Sequence, residues 1–335
     1  MPDVKNALVF PCGSEIGLEL RRALGSSRHF RLVGATSTAD HGAYAYADLE
    51  NLPRVDAAGF LPAFEALLSR REIDFVLPAH DEVLIRLAEW AAAGGSGAEI
   101  IAPPVEVCRL CRSKNATYAF FADKLPTPRR FSPADLDRAP YPLFMKPDAG
   151  QGGRGAALVG DAAAAREKLR QSPADLILEY LPGREYTIDC FTDRRRRLLY
   201  AAGRIRNRVA NGISVDSRDC PDPRFQPLAE SINQAIQLRG AWFFQLREDA
   251  AGTLRLLEIA PRIAGTSGLR RVMGVNLPLL SLYDRLGLEV ELIDNRLAGT
   301  AVDRALASVY RAPLDFATVY MDLDDTLTAG DGVNP

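Results

Sequence analysis

The sequence predicts a protein in two parts, an α/β region followed by an α+β region. Over the first hundred residues, short apolar runs alternate with segments that have the periodicity of an amphipathic helix. This alternation is typical of parallel strands joined by helices that cover both faces of a sheet. After residue 112 the apolar runs come in pairs joined by polar turns, which is typical of antiparallel hairpins.

The first region begins with an apolar run at 7–10, after which Gly13 and Ser14 supply a turn and a helix cap. Its further elements are predicted as strands at 32–35, 73–77 and 99–102, and as helices at 16–24, at 61–68 and after a cap at Asp81. The first turn has too few glycines for a dinucleotide-binding fingerprint, and no acidic residue follows at the required distance. We therefore interpret this region as a scaffold and not as a cofactor site.

Two hairpins are predicted in the second region. Strands at 185–192 and 198–203 are joined by a turn rich in arginine, and strands at 242–247 and 253–259 by an acidic turn. The arginines at 194–197 have the composition of a nucleic-acid patch, but they stand at a hairpin tip without interleaved aromatic residues. We interpret them as a solvated turn.

Charge and composition argue against several classes of function. The 41 basic and 43 acidic residues give a net charge of −2, so no overall field attracts nucleic acid or a membrane surface. The first residues lack the pattern of a signal peptide and no apolar stretch has the length of a membrane span, which predicts a cytoplasmic protein. The five cysteines suit free thiols, and Cys108 and Cys111 are spaced as one helical turn without a second pair to complete a metal site.

Lysine is rare in this chain, which makes its positions informative. It occupies only five of the 41 basic positions, namely 5, 114, 124, 146 and 168. Lys146 ends the apolar run 143–145 and is followed by a loop with four glycines between Gly150 and Gly155. Backbone N–H groups of such a loop can approach phosphate oxygens closely, and the ammonium supplies charge. Lys146 is therefore the first candidate for a phosphate contact, and Lys114 is the second.

Two further segments have the composition of a nucleotide site. At 176–189 a buried strand leads through a short crossing segment into another strand, so backbone groups can meet the edge of adenine and a carboxylate just beyond can accept the ribose hydroxyls. Gln245 and Glu258 stand on two apolar strands of one hairpin, where polar oxygens are costly to bury unless something binds them. Their oxygens suit Mg²⁺, although a hairpin with both side chains in solvent would have the same pattern.

In this order and at this spacing, the segments around Lys146, Glu179 and Glu258 resemble the ATP-grasp superfamily, in particular its carbamoyl-phosphate-synthetase-like and amino-acid-ligase branches. The start of the second region, 113–118, matches as well. The resemblance implies a Rossmann-like pre-ATP-grasp domain at 1–112, an ATP-grasp domain at 113–300, and a linker with a further motif at 301–335. The ATP-grasp domain would consist of an ATP-binding subdomain at 113–195 and a metal and substrate subdomain at 196–300.

The resemblance also implies roles for individual residues. The residues implied for ATP are Lys114, Lys146, Gln151, Gly152, Gly153, Glu179, Tyr180, Leu181 and Glu185, of which 179–181 would meet adenine and Glu185 the ribose. Those implied for Mg²⁺ or Mn²⁺ are Gln245 and Glu258, those for substrate are Arg206, Arg208 and Ser214, and those for catalysis are Arg262 and Lys146. Ala260 departs from the family, which has Asn there, and leaves a second metal ion without one of its ligands.

The last segment is of a different kind. An apolar strand at 317–321 runs into Asp322, Asp324 and Thr326, which resembles the opening motif of a haloacid-dehalogenase-type phosphatase. The resemblance implies a nucleophile at Asp322 and an acid/base at Asp324. Because the sequence stops at Pro335, before any further motif of such an enzyme, we expect this segment to be inert here and the rest of a phosphatase domain to be missing downstream.

Taken together, these features predict an ADP-forming carboxylate–amine ligase that works through an acyl phosphate. The alternatives are acyl-phosphate synthesis of the carbamoyl-phosphate type without ligation, and an ATP-binding module without catalysis. The expected partners are a carboxylate and an amine substrate, with no nucleic acid and no membrane, and a homodimer is left open. Arginines at 204, 206, 208, 262, 270 and 271 favour an anionic substrate, with Arg206 and Arg208 as a clamp on a second carboxylate.

Overall fold

The structure is a computed structural model that describes residues 3–150, 152–210, 213–293 and 299–305 and, beyond these, 308, 317, 318, 320, 328, 329, 332 and 333. The chain divides into two units, Met1–Ala305 and Leu306–Pro335. Within the described residues, no helix is long and apolar enough to cross a membrane. In the second unit, strands Thr328–Ala329 and Gly332–Val333 pair antiparallel. Asp322 and Asp324 lie outside the described residues, so the phosphatase-like motif stays a prediction.

The first sheet has five parallel strands in the order β3-β2-β1-β4-β5. The strands are β1 (Lys5–Phe10), β2 (Phe30–Thr36), β3 (Leu49–Asn51), β4 (Phe75–Pro78) and β5 (Glu99–Ile100). The helices of this region are α1 (Glu15–Leu24), α2 (Gly42–Ala45), α3 (Phe60–Arg70), α4 (Asp81–Ala92) and α5 (Val105–Arg112). The α/β pattern predicted from the sequence is confirmed, whereas the short elements β3 and α2 lack a clear periodicity and were not predicted.

Both faces of this parallel sheet are buried. Leu8 and Phe10 of β1 pack with α3 and α4, whereas Ala7 and Val9 point to the other face and join a cluster with Leu282 of the later chain. Because side chains alternate along a strand, a continuous apolar run such as β1 covers both faces. The carboxyl ends of β1 and β4 are thereby held against the second half of the protein.

The start of α4 differs from the prediction. Asp81 is its first helical residue and not its cap, which is His80, whose Nδ1 accepts a hydrogen bond from the backbone N–H of Glu82 at 3.3 Å. The Asp81 carboxylate therefore does not cap the helix, and it contacts Arg262 in the later part of the chain.

The second sheet has four antiparallel strands in the order β6-β9-β7-β8. Its elements, after the linking helix α6 (Lys114–Phe121), are β6 (Arg130–Phe131), β7 (Leu143–Pro147), β8 (Ala157–Val159), α7 (Ala162–Gln171) and β9 (Asp175–Glu179). Leu143, Met145 and Ile177 pack with Ala165 of α7 in a small core under one face of this sheet. The glycine-rich loop is the connection between β7 and β8.

The third sheet has six antiparallel strands in the order β14-β13-β10-β11-β12-β15. Its elements are β10 (Glu185–Thr192), β11 (Leu198–Ala210), β12 (Ile213–Asp219), α8 (Phe225–Ala235), β13 (Gly240–Glu248), β14 (Leu254–Ala260), α9 (Gly268–Val272), α10 (Leu277–Arg285) and β15 (Ala301–Asp303). Both predicted hairpins are confirmed, and β11 continues past its predicted end at 203. The predicted subdomain boundary at 195 falls in the turn between β10 and β11 of this one sheet.

Two sequence features that resembled functional sites have structural roles in the fold. Cys108 and Cys111 are buried on α5 and are free, and burial raises the pKa of Cys108 to about 12, so this thiol stays protonated at neutral pH. The arginine run forms the β10–β11 turn, where Asp193 accepts hydrogen bonds from the backbone N–H groups of Arg195 and Arg197 at 2.9 and 2.8 Å. In the part of the chain that the structure describes, no group of three His, Cys, Asp or Glu residues could hold a metal ion.

Candidate active site

A first cavity of about 230 Å³ lies between the second and third sheets. It brings together residues from β7, the glycine-rich loop, the β9–β10 crossing segment and the β13–β14 hairpin. The residues predicted from the sequence that line it are Lys114, Lys146, Gly152, Gly153, Glu179, Tyr180, Leu181, Glu185, Arg206, Gln245 and Glu258. Gln151, the remaining residue predicted for ATP, lies outside the described residues.

Lys146 extends from β7 into the buried side of this cavity. Its Nζ donates a hydrogen bond of 2.9 Å to the Tyr118 hydroxyl, which in turn donates to the carbonyl of Leu257 at 2.7 Å. Burial, together with the charge of Lys114, lowers the pKa of Lys146 to about 8, and Glu258 acts in the opposite direction. The protein thus holds an ammonium that a nearby anion would stabilise.

Lys114 fixes the base of the glycine-rich loop. It is 8% exposed, and its Nζ donates to the carbonyls of Asp148 and Gly150 at 3.2 and 3.3 Å. Ser113, the cap of α6, donates its hydroxyl hydrogen to the Asp148 carboxylate at 2.8 Å. Within the loop Gly152 has a φ of 61°, a conformation that favours glycine. The loop therefore begins at a rigid anchor and continues with glycine-dependent backbone.

The β9–β10 crossing segment forms one wall of the first cavity. Glu179 at its start accepts a hydrogen bond from the backbone N–H of Arg129 at 2.9 Å. Glu185 at its end forms an ion pair with Arg206 and lies 3.5 Å from Arg247. The carboxylate predicted to meet a ribose is thus present in the cavity, but it is engaged by two arginines.

Gln245 and Glu258 are direct neighbours across the β13–β14 pair. Both line the first cavity, and the Gln245 Oε1 also accepts a hydrogen bond from Arg206 at 3.4 Å. An amide and a carboxylate oxygen side by side are hard donors that fit a divalent cation with few protein ligands, as Mg²⁺ is usually bound. Ala260 pairs with Phe243 further along the same strands and offers only a methyl group.

A second cavity of about 370 Å³ adjoins the first. The two share part of their walls, including Arg206, Gln245 and Glu258. Ser214 and Arg262, predicted for substrate and catalysis, line the second cavity but not the first. The Gln245–Glu258 pair therefore stands where the cavities meet.

The far wall of the second cavity comes from the first region of the chain, which its sequence pattern indicates to be a scaffold. Ser14 and Glu15 follow β1, and His80 and Asp81 follow β4. The strand order reverses between β1 and β4, and ligands of open α/β sheets bind at the carboxyl ends of strands at such a point. A polar residue after each of these two strands was the signal in the sequence. This signal can be interpreted only when the order of the strands in the sheet is known.

The six arginines that the sequence singled out for an anionic substrate are each paired with at least one carboxylate. The pairs are Arg204 with Asp189, Arg206 with Glu185, Arg208 with Asp303, Arg262 with Asp81, Arg270 with Asp189 and Asp219, and Arg271 with Glu19. Most of the positive charge of these arginines is therefore balanced within the protein, which weakens the argument for an anionic substrate.

The predicted clamp on a second carboxylate stays a prediction, and the structure brings only one of its two arginines to the cavities. Arg208 lines neither cavity, and its pair with Asp303 is exposed, with 59% and 66% of the two side chains accessible. Register shifts in the β11–β12 pair on both sides of Arg208 interrupt the alternation that would have put it on the face of Arg206. Of the two arginines of the predicted clamp, Arg206 lines both cavities.

The comparison with known families gives one match. The family described as ATP-grasp in the biosynthetic pathway with Ter operon matches residues 171–305. These residues contain the crossing segment, both predicted metal ligands and Arg262. No curated protein matches the sequence at a significant level.

Solved structures are similar over most of the chain. The biotin carboxylase domain of Hydrogenobacter thermophilus 2-oxoglutarate carboxylase, in complex with MgADP, ADP and bicarbonate, has a TM-score of 0.72 at 15% identity, over 88% of this chain and 72% of that chain. L-amino acid ligase from Bacillus licheniformis has a TM-score of 0.66 at 19% identity, over 85% and 75%. N5-carboxyaminoimidazole synthetase from Staphylococcus aureus has a TM-score of 0.66 at 14% identity, over 87% and 78%.

These matches confirm the ATP-grasp resemblance and the mixed α/β and α+β fold predicted from the sequence. The predicted class, a ligase of the ATP-grasp type that uses ATP and Mg²⁺, agrees with them. At identities of 14–19% the solved structures establish the fold, and the chemistry of this chain has to be argued from its own residues.

Proposed function

We propose that the protein is an ATP-dependent, ADP-forming ligase that activates a carboxylate as an acyl phosphate and transfers the acyl group to an amine. The observation that carries this proposal is the pair of adjoining cavities that share Gln245 and Glu258. One cavity has the composition of a phosphate site and the other is lined by polar and charged side chains from three parts of the chain. A phosphoryl group at the junction would be accessible from both.

The first cavity suits the nucleotide. Lys146 and Lys114 supply positive charge, and the loop from Gly150 to Gly155 supplies backbone N–H groups for phosphate oxygens. Leu178 and Leu181 give an apolar wall beside the exposed edge of the crossing segment, as a planar base requires. The similar biotin carboxylase domain was solved with MgADP, which supports a nucleotide in this fold.

A magnesium ion would be held by Gln245 and Glu258 together with phosphate oxygens. When bound, it would supply charge neutralisation for the phosphates. Ala260, further along the same two strands, has no ligand atom, so within the described β13–β14 hairpin the pair that fits a metal ion at the junction of the cavities is Gln245 and Glu258.

The chemistry that fits the two cavities is a two-step acyl transfer. A carboxylate oxygen of the acid forms a bond to the γ-phosphorus, the bond from this phosphorus to the β,γ-bridging oxygen breaks, and ADP is formed. The nitrogen of an amine then bonds to the acyl carbon, the bond from that carbon to the phosphate oxygen breaks, and the amine releases a proton. Such transfer depends mainly on positioning and charge stabilisation, for which Lys146 and Arg262 are placed on opposite sides of the junction.

The proposal is tested by measuring ADP release from MgATP with a panel of carboxylic acids and amino acids, with and without amines. Hydroxylamine is added in parallel because it converts an acyl phosphate into a hydroxamate. We expect acid-dependent ADP release, hydroxamate formation, and suppression of the hydroxamate by the true amine.

Other outcomes would select another function. Hydroxamate without an amide product for any amine would favour acyl-phosphate synthesis without ligation. ATP binding without ADP release for any acid would favour a non-catalytic binding module, for which the missing ligand at Ala260 is the supporting observation.

A further inference from the structure

The contact between Arg262 and Asp81 joins residues 181 positions apart in the chain. The Asp81 carboxylate accepts from both Nε and Nη2 of the guanidinium, the latter at 2.8 Å. Only 14% of the arginine side chain and 17% of the aspartate side chain are exposed. An ion pair with this geometry and burial is rigid, because breaking it would leave a charge without a partner in a poorly solvated place.

Two further contacts fix the guanidinium. Its carbon lies 5.5 Å from the centroid of the Phe243 ring, and Nη1 donates to the carbonyl of Ile263 at 3.1 Å. These contacts together with Asp81 use the Nε hydrogen, one hydrogen on Nη2 and one on Nη1. Among the contacts of the described residues, one hydrogen on Nη1 and one on Nη2 remain, and each can donate to an oxygen of an anion.

We propose that Asp81, from the region interpreted as a scaffold, is the positioning residue that aims Arg262 at the transferring phosphoryl or acyl-phosphate group. The inference rests on the proposed function, since Arg262 needs an anionic reaction centre to act on. Asp81 holds the Nε edge of the guanidinium, and both residues line the second cavity. Asp81 itself begins α4 shortly after β4, so the strand order of the first sheet determines the aim of an arginine that follows β14 of the third sheet.

The experiment measures kcat, KM for the acid and the dissociation constant of MgATP for the wild type and for Asp81→Asn. Asparagine keeps the size of the side chain but lacks the charge that holds the guanidinium. We expect kcat to fall about tenfold to a hundredfold, as for a misaimed catalytic group, with the ATP dissociation constant changed less than about twofold. The dissociation constant of MgATP is expected to stay nearly unchanged because Asp81 does not line the first cavity.

A double-mutant cycle separates positioning from a general structural effect. In an Arg262→Lys background the guanidinium edge is absent, so Asp81→Asn should have little further effect on kcat if Asp81 acts through Arg262. Glu19→Gln is the matched control, because Glu19 also pairs an arginine of the later chain, Arg271, at 3.0 Å but lines neither cavity. Asp81→Glu, which keeps the charge, is expected to retain more activity than Asp81→Asn, and melting temperatures verify that the variants are folded.

Three results would overturn the inference. They are an unchanged kcat in Asp81→Asn, an increased kcat, which would make Asp81 a competitor of the substrate, and additive effects of the Asp81 and Arg262 substitutions. If instead the wild type binds ATP but forms no ADP with any acid, the proposed function itself is contradicted. The wild-type assay alone distinguishes this case from a failure of the inference about Asp81.

Discussion

The two lysines of the first cavity donate to neutral oxygens, whereas Arg206, which lines both cavities, and Arg262, which lines the second, pair with carboxylates. Lys146 contacts a tyrosine hydroxyl and Lys114 contacts two backbone carbonyls. Arg206 and Arg262 each form an ion pair with a carboxylate. The lysines therefore offer uncompensated charge to phosphates, and the arginines offer orientation, because most of their charge is already balanced.

The largest effect on nucleotide binding is expected from Lys146→Ala. It removes a charged phosphate contact in a partly dry site, which costs about 1.5–3 kcal/mol, or roughly tenfold to a hundredfold in ATP affinity. Calorimetric titration with MgATP measures the change. Lys124→Ala is the matched control, since Lys124 is 37% exposed and contacts Phe120 and Asp123 away from both cavities. Equal affinities of the two variants would place the phosphates elsewhere.

The pH dependence of ATP affinity is the next effect. The pKa of Lys146 is lowered to about 8 in the free protein, and bound phosphates would keep its proton on. Binding is therefore strongest below pH 8 and weakens as the pH rises, because above pH 8 a proton must be taken up with the nucleotide. We expect about tenfold weaker binding at pH 9 than at pH 7. Lys146→Arg, whose charge persists, should bind with little change over this range, and a parallel decline in that variant would exclude Lys146 as the titrating group.

A smaller effect is expected at the metal site. Ala260→Asn restores an amide oxygen beside Gln245 and Glu258 and should tighten Mg²⁺ in the ATP complex about fivefold, equivalent to about 1 kcal/mol. Glu258→Gln should weaken it, since a charged ligand becomes neutral. Titration of Mg²⁺ into the enzyme–ATP complex gives both constants. If neither substitution changes them, the metal is held by other groups.

The smallest effect is expected from Arg208→Ala, which tests whether Arg208 takes part in the predicted clamp on a second carboxylate. The exposed pair of Arg208 with Asp303 contributes little, so KM for the acid and kcat should stay within about twofold of the wild type. Arg206→Ala should reduce activity more strongly, because Arg206 reaches both cavities and contacts Glu185 and Gln245. Both variants are compared in the ADP-release assay. Equal effects of the two substitutions would contradict the expectation that Arg206 contributes to the site more than Arg208 does.

Local sequence determined the elements and the first cavity to a large extent. Apolar periodicity located the long strands and both hairpins, and Lys146, Gln245 and Glu258 could be singled out because each is a polar residue on an apolar strand. The short elements β3 and α2 were missed because three or four residues carry too little periodicity. The cap of α4 was misassigned because either of two adjacent polar residues could fill that position.

The partners of the arginines were decided only by the tertiary structure. The sequence does not distinguish the six arginines that were predicted to favour an anionic substrate. In the structure Arg262 pairs with Asp81, which is 181 residues away in the chain, and register shifts beside Arg208 turn that side chain to the exposed Asp303. A long charged side chain binds whichever carboxylate the packed sheets bring within reach, and neither composition nor spacing encodes that choice. The sequence by itself determined which strands carry the chemistry. The packing of the first sheet on the third decided which charges remain available to a ligand.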